Sequence, residues 1–153
     1  AVSYAQQQAL SYKNVVKILC DPNLVLEGNN QVAMQFFCDW TTHVASWLHS
    51  DIGETVVIRY EDLLERPEIH FAELVKHIGL PMNEAQLAKA IEFSSFDILQ
   101  RQERQKGFVE NQNATPFFRC GLRNQWRHHL SQREAGEIVA YHGKQMQALG
   151  YSI

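Results

Sequence analysis

Cysteine is scarce in this chain. Cys20, Cys38 and Cys120 are the whole complement, far apart and odd in number. That excludes a disulfide framework as the organising device and fits a reducing, cytoplasmic setting. Metal-ligand spacing is lacking as well. The seven histidines include no His-Glu-x-x-His pattern, and no cysteines are paired, so no metal is expected. His128 and His129 are neighbours and would diverge on a helix. No Gly-rich loop carries a Lys, because Gly143-Lys144 falls inside a helical pattern. No apolar run approaches the length that crosses a bilayer, so no membrane contact is expected. Positive charge is not in excess either. Lys and Arg number 14 against 17 Asp and Glu, a net charge of -3. That argues against general nucleic-acid affinity, while leaving room for a local basic pocket. There are no internal repeats and no low-complexity tracts.

What is present suits one soluble domain. Hydrophobic residues make up 45% of the 153 and charged ones 20%, enough for a core at this length. The pattern predicts a helix from about Val2 to Cys20, stopped by Asp21-Pro22-Asn23. After a turn at Gly28-Asn29-Asn30 it predicts a long helix from Gln31 to about Ser50, with Val32, Phe36, Trp40, Val44 and Trp47 near helical period. A turn over Asp51 to Glu54 leads to the one clear strand, Thr55 to Tyr60, short and β-branched like a strand covered on both faces. Pro67 suits a helix start. Phe71, Leu74, Val75 and Ile78 carry that helix to Gly79. Asn83 caps another helix through Phe93. Phe96 to about Lys106 reads as a polar surface helix. Gly107 to Pro116 reads as an aperiodic loop, a candidate lid. Ser131 with Glu134 is a capping box for a last helix to Leu149 and Gly150.

The stretch with the most chemistry is Phe117-Phe118-Arg119-Cys120-Gly121-Leu122-Arg123-Asn124-Gln125-Trp126-Arg127. Arg offers a planar fork of donors matched to phosphate oxygens. Gly lets backbone approach a ligand and adopt positive φ. N–H groups beside it can form an anion-binding concavity. The residues alone give a candidate phosphate loop; a surface loop with a stray Arg is the alternative.

This stretch resembles the Arg-Lys-Gly-x-x-Gly-Asp-Trp-Lys segment of the PAPS-dependent sulfotransferases, with the same spacing from Arg119 to Arg127. Other segments resemble that family in the same order. Val57-Ile58-Arg59-Tyr60-Glu61-Asp62-Leu63 is similar to its strand followed by Tyr-Glu-Asp-Leu, with Pro67 beyond. Ser94-Ser95-Phe96 is similar to its Thr-Ser-Phe, and Trp40-Thr41-Thr42-His43-Val44-Ala45-Ser46-Trp47 to its Trp-x-x-His-Val-x-Ser-Trp helix. Ala1-Val2-Ser3 resembles the end of its Asp-Val-Ala-Val-Ser phosphate motif, cut in the middle. The expectation is therefore that residues 1–153 are the C-terminal, helix-rich part of a sulfotransferase domain, whose phosphate-loop part lies upstream. Implied is an α/β fold with a parallel sheet of P-loop-kinase type and flanking helices.

The resemblance also implies PAPS as co-substrate and a small-molecule acceptor. It assigns Ser3, Arg119, Cys120 and Gly121 to the 3′-phosphate, and Tyr60, Ser94 and Phe96 to the adenine. Residue types agree: a hydroxyl, a guanidinium, a Gly-relieved backbone and a flat apolar slot. Cys120 stands where the family has Lys, a mild loss if the contact is through the main chain. Taken singly, Ser3 reads as a helix-start hydroxyl, and Tyr60 and Phe96 as core aromatics. Glu61 and Asp62 are expected to brace their loop, with Arg59, Arg66 or Arg123 as partners. The family's phosphate-loop Lys and His base have no counterpart here, since His43, His128 and His129 do not match. The catalytic residues are thus unknown, and the chain alone is expected to be inactive, leaning on its missing half or on another chain. The alternatives are a non-catalytic interaction module derived from the fold and a kinase-like nucleotide transferase.

Overall fold

The computed structural model describes residues 1–28, 30, 33–108 and 115–151. They fall into two compact units, Ala1–Gly53 with Asn124–Ile153, and Glu54–Arg123.

In the first unit, α1 (Val2–Gln7) and α2 (Tyr12–Leu19) replace the single expected helix. The break is a left-handed Ala9 at φ 52. The Leu10 N–H bonds the Ala5 carbonyl at 2.8 Å, the helix-ending loop that Gly usually makes. No Gly or Pro announces it. The cue is Ser11, whose hydroxyl accepts from the Asn14 N–H and caps α2. The expected long helix from Gln31 is also shorter. A hairpin pairs β1 (Val25–Leu26) with β2 (Gln35–Phe36) in antiparallel register, Val25 opposite Phe36. Helix α3 (Trp40–Leu48) begins only after Asp39, whose carboxylate accepts from the Thr42 N–H at 3.0 Å and the Thr42 hydroxyl at 2.9 Å. Backbone pairing and a strong cap overrode the apolar period; residues 29, 31 and 32 lie outside the described set. Short α8 (Trp126–His129) precedes α9 (Gln132–Ala148), which has the expected capping box.

Helices α2 and α3 both pack on α9. Among the described residues, the buried side chains, Val2, Ala5, Val15, Val16, Asp39 and His142, all belong to this unit. His142 joins the three helices. Its Nε2–H donates to the Leu19 carbonyl at 3.0 Å, and its Nδ1 accepts from the Thr41 hydroxyl at 2.7 Å. The Trp40 ring meets it edge-on at 5.5 Å. A carbonyl can only accept, so this pairing puts a hydrogen on Nε2, and the neutral ring is the Nε2–H tautomer.

The second unit is a run of four helices: α4 (Tyr60–Glu65), α5 (Pro67–His77), α6 (Glu84–Phe93) and α7 (Phe96–Lys106). Pro67 forces Arg66 out of the helical region, to φ -140 and ψ 61, and then opens α5. Gly79 at φ 71 ends α5, with the Leu80 N–H on the Val75 carbonyl at 3.1 Å. Asn83 caps α6 as expected. Successive helices pack on one another.

The expected strand from Thr55 to Tyr60 is not formed. Residues 55–59 belong to no strand, and Tyr60 opens α4. A strand exists only with a paired neighbour, and no described strand lies beside this segment. Val56 and Val57 stay exposed. Nor do the described residues form a parallel sheet, since their two strands are antiparallel.

Candidate active site

The candidate site in the second unit grows from α7 and the segment 115–123. Phe96, Gln100 and Glu103 are spaced i, i+4 and i+7, so they share one helix face. Each holds a different part of the segment. The Glu103 carboxylate accepts the N–H groups of Phe117 at 2.7 Å and Phe118 at 2.9 Å. Gln100 donates from Nε2 to the carbonyls of Phe118 at 2.8 Å and Arg119 at 3.4 Å. Arg104 donates to Gln100 Oε1 at 2.7 Å, which fixes the amide with its NH₂ toward the segment. Phe96 lies under Gly121. A Cβ on Gly121 would land within the Phe96 ring, and its φ of 61 is the left-handed region. Phe108, Phe117 and Phe118 gather beside it, with Phe118 edge-on to Phe96 at 6.4 Å. Residues 109–114 of the expected lid lie outside the described set.

These bonds consume the backbone polar groups just before Arg119 and leave others. Among the described residues, nothing takes the N–H groups of Cys120 and Gly121. They come directly after the half-buried Arg119. Asn124 is also left-handed, at φ 54, a conformation Asn tolerates better than most residues. It stands where the resembled segment carries its second Gly.

Tyr60 is exposed at the start of α4. Its hydroxyl pKa is raised by burial, and further by Cys120 and Glu61 nearby. Ser94 ends α6, and its hydroxyl donates to the Ile91 carbonyl at 3.2 Å. Of the acidic pair, Asp62 braces its surroundings, while Glu61 Oε2 is buried without a hydrogen-bond partner among the described residues. Arg59 donates Nε and Nη2 to Asp62 at 2.7 and 2.6 Å, which holds the Asp62 carboxyl below its usual range. Arg123 pairs with Glu65 rather than with Glu61 or Asp62. Ser3 is exposed on α1 and belongs to the other unit. The second unit therefore brings together Arg119, Cys120, Gly121 and Phe96, with Tyr60 beside Cys120.

Residues 1–150 match the family model of the sulfotransferase domain. The chain belongs to the sulfotransferase family. That membership brings an α/β fold and a transferase chemistry, the passing of a sulfuryl group. Three of the histidines have structural occupations: His43 stacks on Phe37, His129 bonds the Tyr12 hydroxyl at 3.1 Å, and His142 is buried. Among the described residues, no His/Cys/Asp/Glu group is arranged to hold a metal ion, and no helix is long and apolar enough to cross a membrane.

Sequence reading missed Gln100 and Glu103, treating α7 as a polar surface helix. The signal was their spacing from Phe96: two long polar side chains on the same face as an aromatic anchor.

Proposed function

We propose that this chain supplies the nucleotide-binding half of a PAPS-dependent sulfotransferase acting on a hydroxyl or amine of a small molecule. The observation that carries the reading is the Arg119-Cys120-Gly121 turn. A guanidinium precedes two backbone N–H groups that no described residue uses, and the turn has no room for a side chain at Gly121. That donor set fits a phosphate dianion. Arg119 with the N–H groups of Cys120 and Gly121 would hold the 3′-phosphate. Tyr60, Ser94 and Phe96 would frame the adenine, with Phe96 also serving as the floor beneath Gly121. The bound nucleotide supplies the sulfuryl group. The chain's own part is to bind and orient it, which is where most of the barrier reduction in such a transfer arises.

No Lys-bearing phosphate loop is present in the sequence, and His43, His129 and His142 are otherwise engaged. The isolated chain is therefore expected to show no turnover of labelled sulfate from PAPS to phenols, alcohols or amines. The binding test is calorimetric titration with adenosine 3′,5′-bisphosphate and with 5′-AMP. The 3′-phosphorylated nucleotide should bind more tightly. Arg119→Ala should weaken it about tenfold or more, the loss of a charge-assisted bond of roughly 1.5–3 kcal/mol, and leave 5′-AMP unchanged. Equal affinities in the wild type would remove Arg119 from a phosphate site.

A further inference from the structure

We infer that Glu103 and Gln100 are positioning residues for the phosphate-binding turn, and that α7 is a template on which residues 117–121 are laid out. This rests on the nucleotide-binding reading above and goes beyond it by naming what sets the turn's geometry. The pairing is antiparallel and in step. Glu103 meets 117 and 118, Gln100 meets 118 and 119, and Phe96 meets 121. Seven residues of helix rise about 10.5 Å, and four peptide steps reach at most about 13 Å, so the strap, bent at residues 117 and 118, can span the same length.

The polar logic is complementary. A carboxylate has no proton to donate, so it reads two successive N–H groups. The amide, its oxygen held by Arg104, reads two successive carbonyls. Together they fix the backbone on both sides of the peptide entering Arg119. Immediately beyond that fixed point lie the unclaimed N–H groups of Cys120 and Gly121. Glu103 also places a negative charge on the N–H groups of Phe117 and Phe118, which denies them to an anion. The strap thus selects which amides face the phosphate. A strap free to rotate would offer Arg119 and the two N–H groups in many relative orientations, and the ordering cost would fall on binding.

The experiment uses the full chain as wild type, Glu103→Gln, Arg119→Ala and the double variant. Glu103→Gln keeps the shape but turns one acceptor into a donor against a backbone N–H. Amide hydrogen exchange at Phe117 and Phe118, without ligand, should speed up about tenfold or more. The preference for adenosine 3′,5′-bisphosphate over 5′-AMP should fall about five- to tenfold, the scale of one charge-assisted bond. The affinity for 5′-AMP and the melting temperature should stay close to wild type. In the Arg119→Ala background, Glu103→Gln should lower the preference no further, because both act on one element. Faster exchange with an unchanged preference would leave Glu103 a purely structural brace and overturn the inference, while the phosphate reading stands. A wild type without any 3′-phosphate preference would overturn both. Slow exchange at Phe117 and Phe118 in Glu103→Gln would overturn the strap itself, whatever the nucleotide does. Should Glu103→Gln fail to fold, Gln100→Glu carries the same test, setting an acceptor against the Phe118 carbonyl.

Discussion

The two units of this chain hold themselves together by different means. Among the described residues, the unit containing α2, α3 and α9 has all the buried side chains, and the largest of them, His142, is polar and 2% exposed. The described residues of the α4–α7 unit include none; Val57 is 48% exposed, Ile78 56% and Phe93 61%. Order in the second unit comes from caps, a Pro start, a left-handed Gly end and the bonds from α7 to the turn. Those are individual polar and backbone devices, each worth about 1 kcal/mol. A buried three-helix junction cooperates; a run of capped helices yields piece by piece. The candidate nucleotide turn lies in the yielding unit. Its geometry must therefore come from specific hydrogen bonds rather than from a surrounding core.

The largest test of that contrast is His142→Ala. The change opens a cavity among Trp40, Thr41 and Leu19 and orphans the Leu19 carbonyl. Cavity and lost-bond terms together should cost about 3 kcal/mol. Amide exchange should accelerate along α2 and α9 together and leave α5 and α6 as they were. Equal acceleration in both units would mean that they share one cooperative core.

Gly121→Ala probes the other unit. The added methyl meets the Phe96 ring, and the left-handed φ costs about 1–2 kcal/mol by itself. With no core to hold the turn in place, the strap should lift from α7. Exchange at Phe117 and Phe118 should rise while α2 and α9 stay protected. An unchanged pattern would show that the turn is not seated on Phe96.

Acid sharpens the contrast more gently. Burial lowers the His142 pKa below its ordinary 6.5, opposed by the Leu19 bond and by Asp39. Below pH 6.5 an unfolded chain takes up that proton and the folded one does not. Stability of the first unit is then complete above 6.5 and is lost as pH falls toward the lowered value. The slope is at most about 1.4 kcal/mol per pH unit. Urea melts monitored at α9 from pH 7.5 to 5.5 should show the loss, and His142→Asn should flatten it. A slope that survives in His142→Asn belongs to another group.

Legibility in the sequence tracked the same divide between local and long-range causes. Pro67, Asn83, Ser131 with Glu134, and Gly79 acted where a local rule placed them, because a cap or a fixed φ needs no distant partner. The break at Ala9 had only the Ser11 cap to announce it, since Ala rarely adopts that conformation. The strand at Thr55–Tyr60 failed for the opposite reason: its composition was right, but strand formation depends on a neighbour that no local rule supplies. Arg119, Cys120 and Gly121 were legible as a candidate phosphate loop because Gly and Arg carry their chemistry with them. Gln100 and Glu103 were not, because a carboxylate on a polar helix looks the same whether it faces water or a backbone.

The smallest expected effect is the most discriminating for that failed strand. Val57→Thr keeps the β-branched shape and adds a hydroxyl. At a position 48% exposed, the hydroxyl stays in water, and stability should change by less than about 0.5 kcal/mol. The same change at Val15, 0% exposed between α2 and α9, buries an unpartnered hydroxyl and should cost about 1–3 kcal/mol. Thermal melts of the two single variants, side by side, measure the difference. If Val57→Thr costs as much as Val15→Thr, residues 55–59 are covered in solution, and the segment whose composition reads as a buried strand has found a partner. If the two differ as expected, the β-branched run is held open at the edge of a unit whose order comes from its caps.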